Sequence, residues 1–128
     1  MDQRFGKQYK LCSRKTMDEL FASGSSLSLY PFVIKYKEVE FSQPKPFQIA
    51  ISVPKRNFKR APDRNKIKRM IREVVRKNKH LLGEGEKPRK QLALFLIYTG
   101  KEILSFSDIE HKIVAILERL DKKRSSKH

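Results

Sequence analysis

Apolar residues recur along this chain with two different periods, and the changes of period mark its elements. Phe32-Val33-Ile34-Lys35-Tyr36-Lys37 has the composition of a strand and is closed by the turn-forming Ser42-Gln43-Pro44-Lys45-Pro46. Phe47, Ile49, Ile51 and Val53 then alternate with Gln48, Ala50 and Ser52, which predicts a strand with one apolar face. These two strands are expected to form an antiparallel pair, with Ser25 to Leu29 as a short edge strand. After Pro54 the period becomes helical. Ile67, Met70, Ile71, Val74, Val75, Leu81 and Leu82 form one apolar stripe on a helix starting near Pro62-Asp63, where Pro suits the first turn and Asp the positive end of the dipole. Gly83 to Pro88 reads as a loop. The uninterrupted apolar run Leu92 to Tyr98 predicts a central strand buried on both faces.

Two capping boxes complete the pattern. Thr16-Met17-Asp18-Glu19 opens a short helix that carries Leu20 and Phe21 and stops at Gly24. Ser107-Asp108-Ile109-Glu110 opens a last helix whose Ile109, Ile113, Ile116, Leu117 and Leu120 share a face, with Lys122-Lys123-Arg124 at its negative end. The order helix, two or three strands, long helix, strand, helix predicts an α+β sandwich: a small sheet covered by helices.

Length and charge narrow the class. The 128 residues fit a single domain spanning 1–128, with 1–9 and 122–128 expected to be flexible basic ends. With 38% hydrophobic residues the chain can bury a core, which excludes a disordered basic tail. The formal net charge of +16 points to a polyanionic partner. The single Cys12 closes no intramolecular disulfide and fits a reducing compartment. Met1-Asp2-Gln3-Arg4 leads into no apolar signal core and no apolar run is long enough to span a bilayer, so a cytoplasmic protein without membrane attachment is expected.

The charge is concentrated rather than spread. Residues 54–80 hold 12 Lys and Arg against 2 acids, while 16–53 and 81–121 are each nearly neutral. On the long helix, Asn65, Lys68, Arg69, Arg72, Arg76 and Lys79 gather on an arc away from the apolar stripe. Arg64, Arg69, Arg72 and Arg76 offer planar forks for phosphate oxygens, Lys68 and Lys79 supply point charges, and Asn65 can reach a 2′-hydroxyl or a base edge. The alternative, a solvated cationic face without a partner, leaves many like charges with Glu73 as their nearest acid. Phe21, Phe32, Tyr36 and Phe47 could stack unpaired bases or simply fill the core. His80, His111 and His128 lie far apart with no acid or Cys at ligand spacing, and no self-contained active site is visible.

The stretch from Ile49-Ala50-Ile51-Ser52-Val53 through Pro54-Lys55-Arg56-Asn57-Phe58 into Arg64, Asn65, Lys68, Arg69, Arg72 and Glu73 resembles the protein subunit of bacterial ribonuclease P. That family is marked by a strand, two basic residues, a loop and an Arg-Asn-x-x-Lys-Arg-x-x-Arg-Glu helix. The resemblance implies a four-stranded mixed sheet in the order α-β-β-β-α-β-α, with a βαβ crossover through the long helix that is left-handed in the family. It implies a catalytic RNA subunit and precursor tRNA as partners, no obligatory protein partner, and Mg²⁺ held mainly by the RNA. Arg64, Asn65, Lys68, Arg69, Arg72 and Arg76 would then face the RNA subunit, and Phe21, Phe32, Ser52, Lys55 and Arg56 the single-stranded 5′ leader. Met17 and Lys35 depart from the family pattern: many members carry an aromatic ring at the first, and a leader-facing tyrosine occurs near the second, with Tyr36 one place off.

The function this implies is the accessory subunit of ribonuclease P, an endoribonuclease that removes the leader to give mature tRNA 5′ ends, with the chemistry carried by the RNA. Two other classes fit the basic composition: a non-catalytic ribosomal or ribosome-assembly RNA binder, and a protein with its own Mg²⁺-dependent nuclease site.

Overall fold

The computed structural model describes residues 14–39, 47–82 and 91–125. Three helices, α1 (Arg14–Ser23), α2 (Ala61–Lys77) and α3 (Phe106–Ser125), surround four strands, β1 (Ser25–Leu29), β2 (Phe32–Val39), β3 (Phe47–Ser52) and β4 (Gln91–Tyr98). The strand order is β1-β2-β4-β3, with β1 and β4 each antiparallel to β2 and β3 parallel to β4. Helix α2 makes the crossover between the parallel strands, and the α+β sandwich is the one the sequence predicts.

The direct pairing expected of β2 and β3 does not occur, because β4 lies between them. Its apolar run explains the insertion: a strand with few polar side chains loses least at the centre, where both edges are hydrogen-bonded. Its two faces nevertheless differ. Leu92, Leu94, Leu96 and Tyr98 are fully buried with Ile67, Ile71, Val74 and Val75 of α2 and Ile109, Ile113, Ile116, Leu117 and Leu120 of α3. On the opposite face Ala93 is buried with Leu20 of α1, while Phe95 and Ile97 are only partly covered. The second face is therefore closed at one end and open at the other.

Helix ends correct the sequence reading in detail. α1 begins at Arg14, so Thr16 lies inside it instead of capping it. Gly24 follows the helix as expected, and a Cβ there would lie 2.4 Å from the Leu20 carbonyl oxygen, so close approach requires the glycine. α3 is capped by Ser105, whose Oγ accepts the Asp108 amide at 3.2 Å, two residues before the expected Ser107. It continues to Ser125, so residues 122–125 extend a helix. α2 stops at Lys77, where the Asn78 side chain donates to the Val74 carbonyl at 2.8 Å; Lys79, Leu81 and Leu82 belong to a following 3₁₀ turn, from which Leu81 still packs against the core. The turn at 42–46, the loop at 83–88, Cys12, His128 and the outermost ends lie outside the described residues.

Candidate RNA-binding surface

The cations of α2 divide into three kinds of environment. Its buried stripe fixes the rotation of the helix, and Asn65, Arg69 and Arg72 stand on the exposed side, with Lys68 half-buried beside them. None of these four has an acid within ion-pairing distance among the described residues. Arg76 is spent differently. Its guanidinium donates to both carboxylate oxygens of Glu73, one turn back, through Nε at 3.1 Å and a shorter bond from Nη2. That bond lowers the Glu73 pKa and raises that of Arg76, with the hydrogen bond the largest cause in each. Arg64 also turns inward: its Nη1 donates to the Phe58 carbonyl at 2.8 Å and the Lys59 carbonyl at 3.1 Å. Of the six residues assigned to the RNA subunit, Asn65, Lys68, Arg69 and Arg72 thus form an open group, while Arg64 and Arg76 have partners within the protein.

The residues assigned to the leader also separate. Phe32 is in phase with Ile34 and Tyr36 on the helix-covered side of β2. It is 0% exposed and packs edge to face on Tyr98 at 5.4 Å. No face of its ring is open to a base, which corrects the expectation for this residue. Tyr36, buried on the same side, is equally removed, and Lys35 takes the opposite face, paired across the sheet with Phe95.

The other leader positions meet on the open half of the second face. Phe21 is 51% exposed, its ring edge-on to Phe95 at 5.0 Å with the Lys35 ammonium 5.7 Å from its centroid. Ser52 stands opposite Ile97 in the β3–β4 register. Beyond it Pro54, Arg56, Asn57, Ile97, Thr99 and Lys101 line an open hollow of about 540 Å³ at the carboxyl ends of these parallel strands. Lys55 and Arg56 are exposed on the turn that leaves β3. From Phe95 to Thr99 is four residues of strand, roughly 13 Å, so the trough has an aromatic end and a cationic end a few nucleotides apart. Sequence reasoning missed Phe95, Thr99 and Lys101, and noted Lys35 only as a departure from the family pattern near a leader-facing position. The period-two phase of β2 already set Lys35 opposite Ile34, whereas the uniform apolarity of β4 hid the fact that Phe95 and Ile97 face outward.

Among the described residues no three or more His, Cys, Asp or Glu side chains gather to hold a metal ion. Among them, too, no helix is long and apolar enough to cross a membrane.

A four-stranded sheet with one half-open face and a helix whose Arg69 and Arg72 have no acidic partner among the described residues are features of the RNA-binding class. Comparison with known proteins makes this specific. A family model described as Ribonuclease P matches residues 5–121, and the chain belongs to that family. The ribonuclease P protein component of Thermotoga petrophila is 30% identical over 127 residues, covering 94% of this chain and 99% of that protein. That of Porphyromonas gingivalis is 29% identical over 115 residues, covering 89% and 84%. The solved structure of the RNase P protein from Thermotoga maritima superposes with a TM-score of 0.68 at 25% identity, covering 86% of this chain and 96% of that one. The Staphylococcus aureus RNase P protein shares the fold with a TM-score of 0.70 at 21% identity, covering 88% and 94%.

Proposed function

We propose that Asn65, Lys68, Arg69 and Arg72 of α2 dock on the catalytic RNA, while the trough from Phe21 to Lys55 and Arg56 receives the single-stranded 5′ leader of precursor tRNA. Family membership makes the chain a protein component of ribonuclease P, the endoribonuclease of tRNA 5′ maturation, and implies partnership with the RNA subunit and the tRNA substrate. A free-standing ribosomal RNA binder is not favoured. The contribution of the protein is electrostatic and positional. Each phosphate neutralised on α2 releases counterions, and bases stacked on Phe21 hold the leader so that the scissile bond is presented to the RNA. Mg²⁺ belongs to the RNA subunit in this reading, and the work is done in the cytoplasm.

The single observation that supports this best is the exposed Asn65, Arg69 and Arg72 row without an acidic partner among the described residues, on a helix whose opposite side is fully buried. Crosslinking tests it. In a Cys12→Ser background, the exposed position 72 and the half-buried position 52 are each changed to cysteine and coupled to an aryl azide, and the labelled proteins are assembled with a bacterial ribonuclease P RNA and precursor tRNA. The label at 72 is expected to capture the RNA subunit and that at 52 the leader. Capture of neither RNA from position 72 would overturn the proposal for α2, and capture of only mature tRNA from position 52 would overturn that for the trough.

A further inference from the structure

We infer that Arg64 is a positioning residue: by gripping the Phe58 and Lys59 carbonyls it holds the cationic segment 54–60 in the shape that the leader meets. The inference rests on the leader reading of the trough given above. Residues 55, 56, 59 and 60 are all Lys or Arg, all are exposed, and none has an acidic partner among the described residues. A short loop with four like charges repels itself and gains by spreading. The Arg60 carbonyl accepts the Asp63 and Arg64 amides at 3.2 and 3.3 Å, which anchors the helix end of the segment, and three further attachments oppose the spreading. The Pro54 carbonyl accepts the Asn57 amide at 3.2 Å and the Phe58 amide at 3.3 Å, closing the first turn. The Phe58 side chain is buried, with its ring tilted on Tyr98 at 5.9 Å. At the far end the Arg64 guanidinium binds the two carbonyls at 2.8 and 3.1 Å.

The first two attachments tie the turn to itself and the Phe58 ring to the core, but the carbonyls of Phe58 and Lys59 are held by the Arg64 side chain. Arginine suits the task because it only donates, and its Nη1 alone carries two hydrogens, enough for the two adjacent carbonyls. The arrangement adds a fifth positive charge beside four, which raises the repulsion, so what it supplies is shape rather than charge balance. A loop already ordered before RNA arrives does not have to be ordered by binding. It also sets Arg56 and Asn57 on the rim of the hollow they share with Thr99 and Lys101.

The test uses the complex assembled with ribonuclease P RNA. Two quantities are measured for Arg64→Gln, Arg64→Lys, Arg72→Gln and Lys55→Gln: the preference for precursor tRNA over leaderless tRNA, and the slope of log affinity for the RNA subunit against log salt. Arg64→Gln is expected to lower the leader preference by about tenfold, the scale of losing hydrogen bonds from a charged donor, while its salt slope stays close to the parent's. Arg64→Lys, which keeps one charged donor, recovers most of the preference. Arg72→Gln reduces the slope by about 0.7–0.9, as one lost phosphate contact should. If Arg64→Gln lowers the slope as Arg72→Gln does and leaves the leader preference intact, Arg64 is a phosphate contact and the inference is wrong. If Lys55→Gln also leaves the preference intact, the leader reading of the loop has failed. Amide exchange in the free protein then still decides on the clip: Arg64→Gln must speed exchange at Asn57 and Phe58 while the amides of α3 keep their protection, and unchanged exchange at both would refute it.

Discussion

Neutralising Arg69 and Arg72 together separates RNA binding from folding. Both guanidinium groups are exposed, lie off the buried stripe of α2 and have no acid partner among the described residues. Replacing both by Gln therefore removes no packing and leaves no buried group unsatisfied, so the stability change should stay within about 0.5 kcal/mol, roughly 2 °C in Tm for a domain of this size. The effect on RNA is much larger. Two lost phosphate contacts lower the slope of log affinity against log salt by about 1.4–1.8. The affinity deficit should therefore be greatest at low salt and shrink as salt rises, which a fold defect would not do. Filter binding to the RNA subunit across a salt series gives the slope, and thermal unfolding of the free protein gives Tm. Ile71→Ala, which empties a fully buried site on the same helix, serves as the contrast and should cost about 2–5 kcal/mol. A double variant that melts like Ile71→Ala while its salt slope is unchanged would show that these arginines serve the fold.

Three other perturbations have defined outcomes. Glu73→Gln releases Arg76 from the carboxylate that holds it and should steepen the salt slope by up to about 0.9; an unchanged slope would mean that Arg76 does not reach RNA even when free. Gly24→Ala places a Cβ against the Leu20 carbonyl oxygen and should cost about 1–3 kcal/mol in urea unfolding, as overpacking does; a neutral variant would show that the end of α1 yields easily. Burial raises the Tyr98 pKa above its ordinary value of 10.0. Folding thus favours the neutral phenol, and its contribution, complete below pH 10, is lost as pH rises through the folded-state pKa. Tyr98→Phe should flatten the fall in stability above pH 10, and an identical fall in both proteins would contradict the assignment.

Much of the fold was legible because each element carries its own period. The α2 stripe from Ile67 to Val75 and the alternation of Phe47, Ile49 and Ile51 both appear where their spacing put them. Pairing was less legible, since period alone does not say which strand lies beside which. The expected β2–β3 pair is split by β4, and the apolarity that marked β4 as a central strand was the one signal against that pairing. At the site, the open character of Arg69 and Arg72 could be read from the helical wheel. The Arg76–Glu73 pair could be read there too, since i,i+3 neighbours lie side by side on a helix, whereas the inward turn of Arg64 could not, because it depends on where the Phe58 and Lys59 carbonyls lie. Phe32 shows the limit for aromatics: its phase with Ile34 and Tyr36 sends the ring into the core, and motif resemblance does not register that phase.

Precursor-tRNA cleavage at low Mg²⁺ by a bacterial ribonuclease P RNA, with and without this protein, bears most directly on the account. The protein should strongly stimulate release of the 5′ leader, more for a substrate with a long leader than for one with a single leader nucleotide, and the protein alone should cut nothing. Equal rates with and without it, or cleavage by the polypeptide free of RNA, would contradict the assignment of positioning to the protein and chemistry to the RNA.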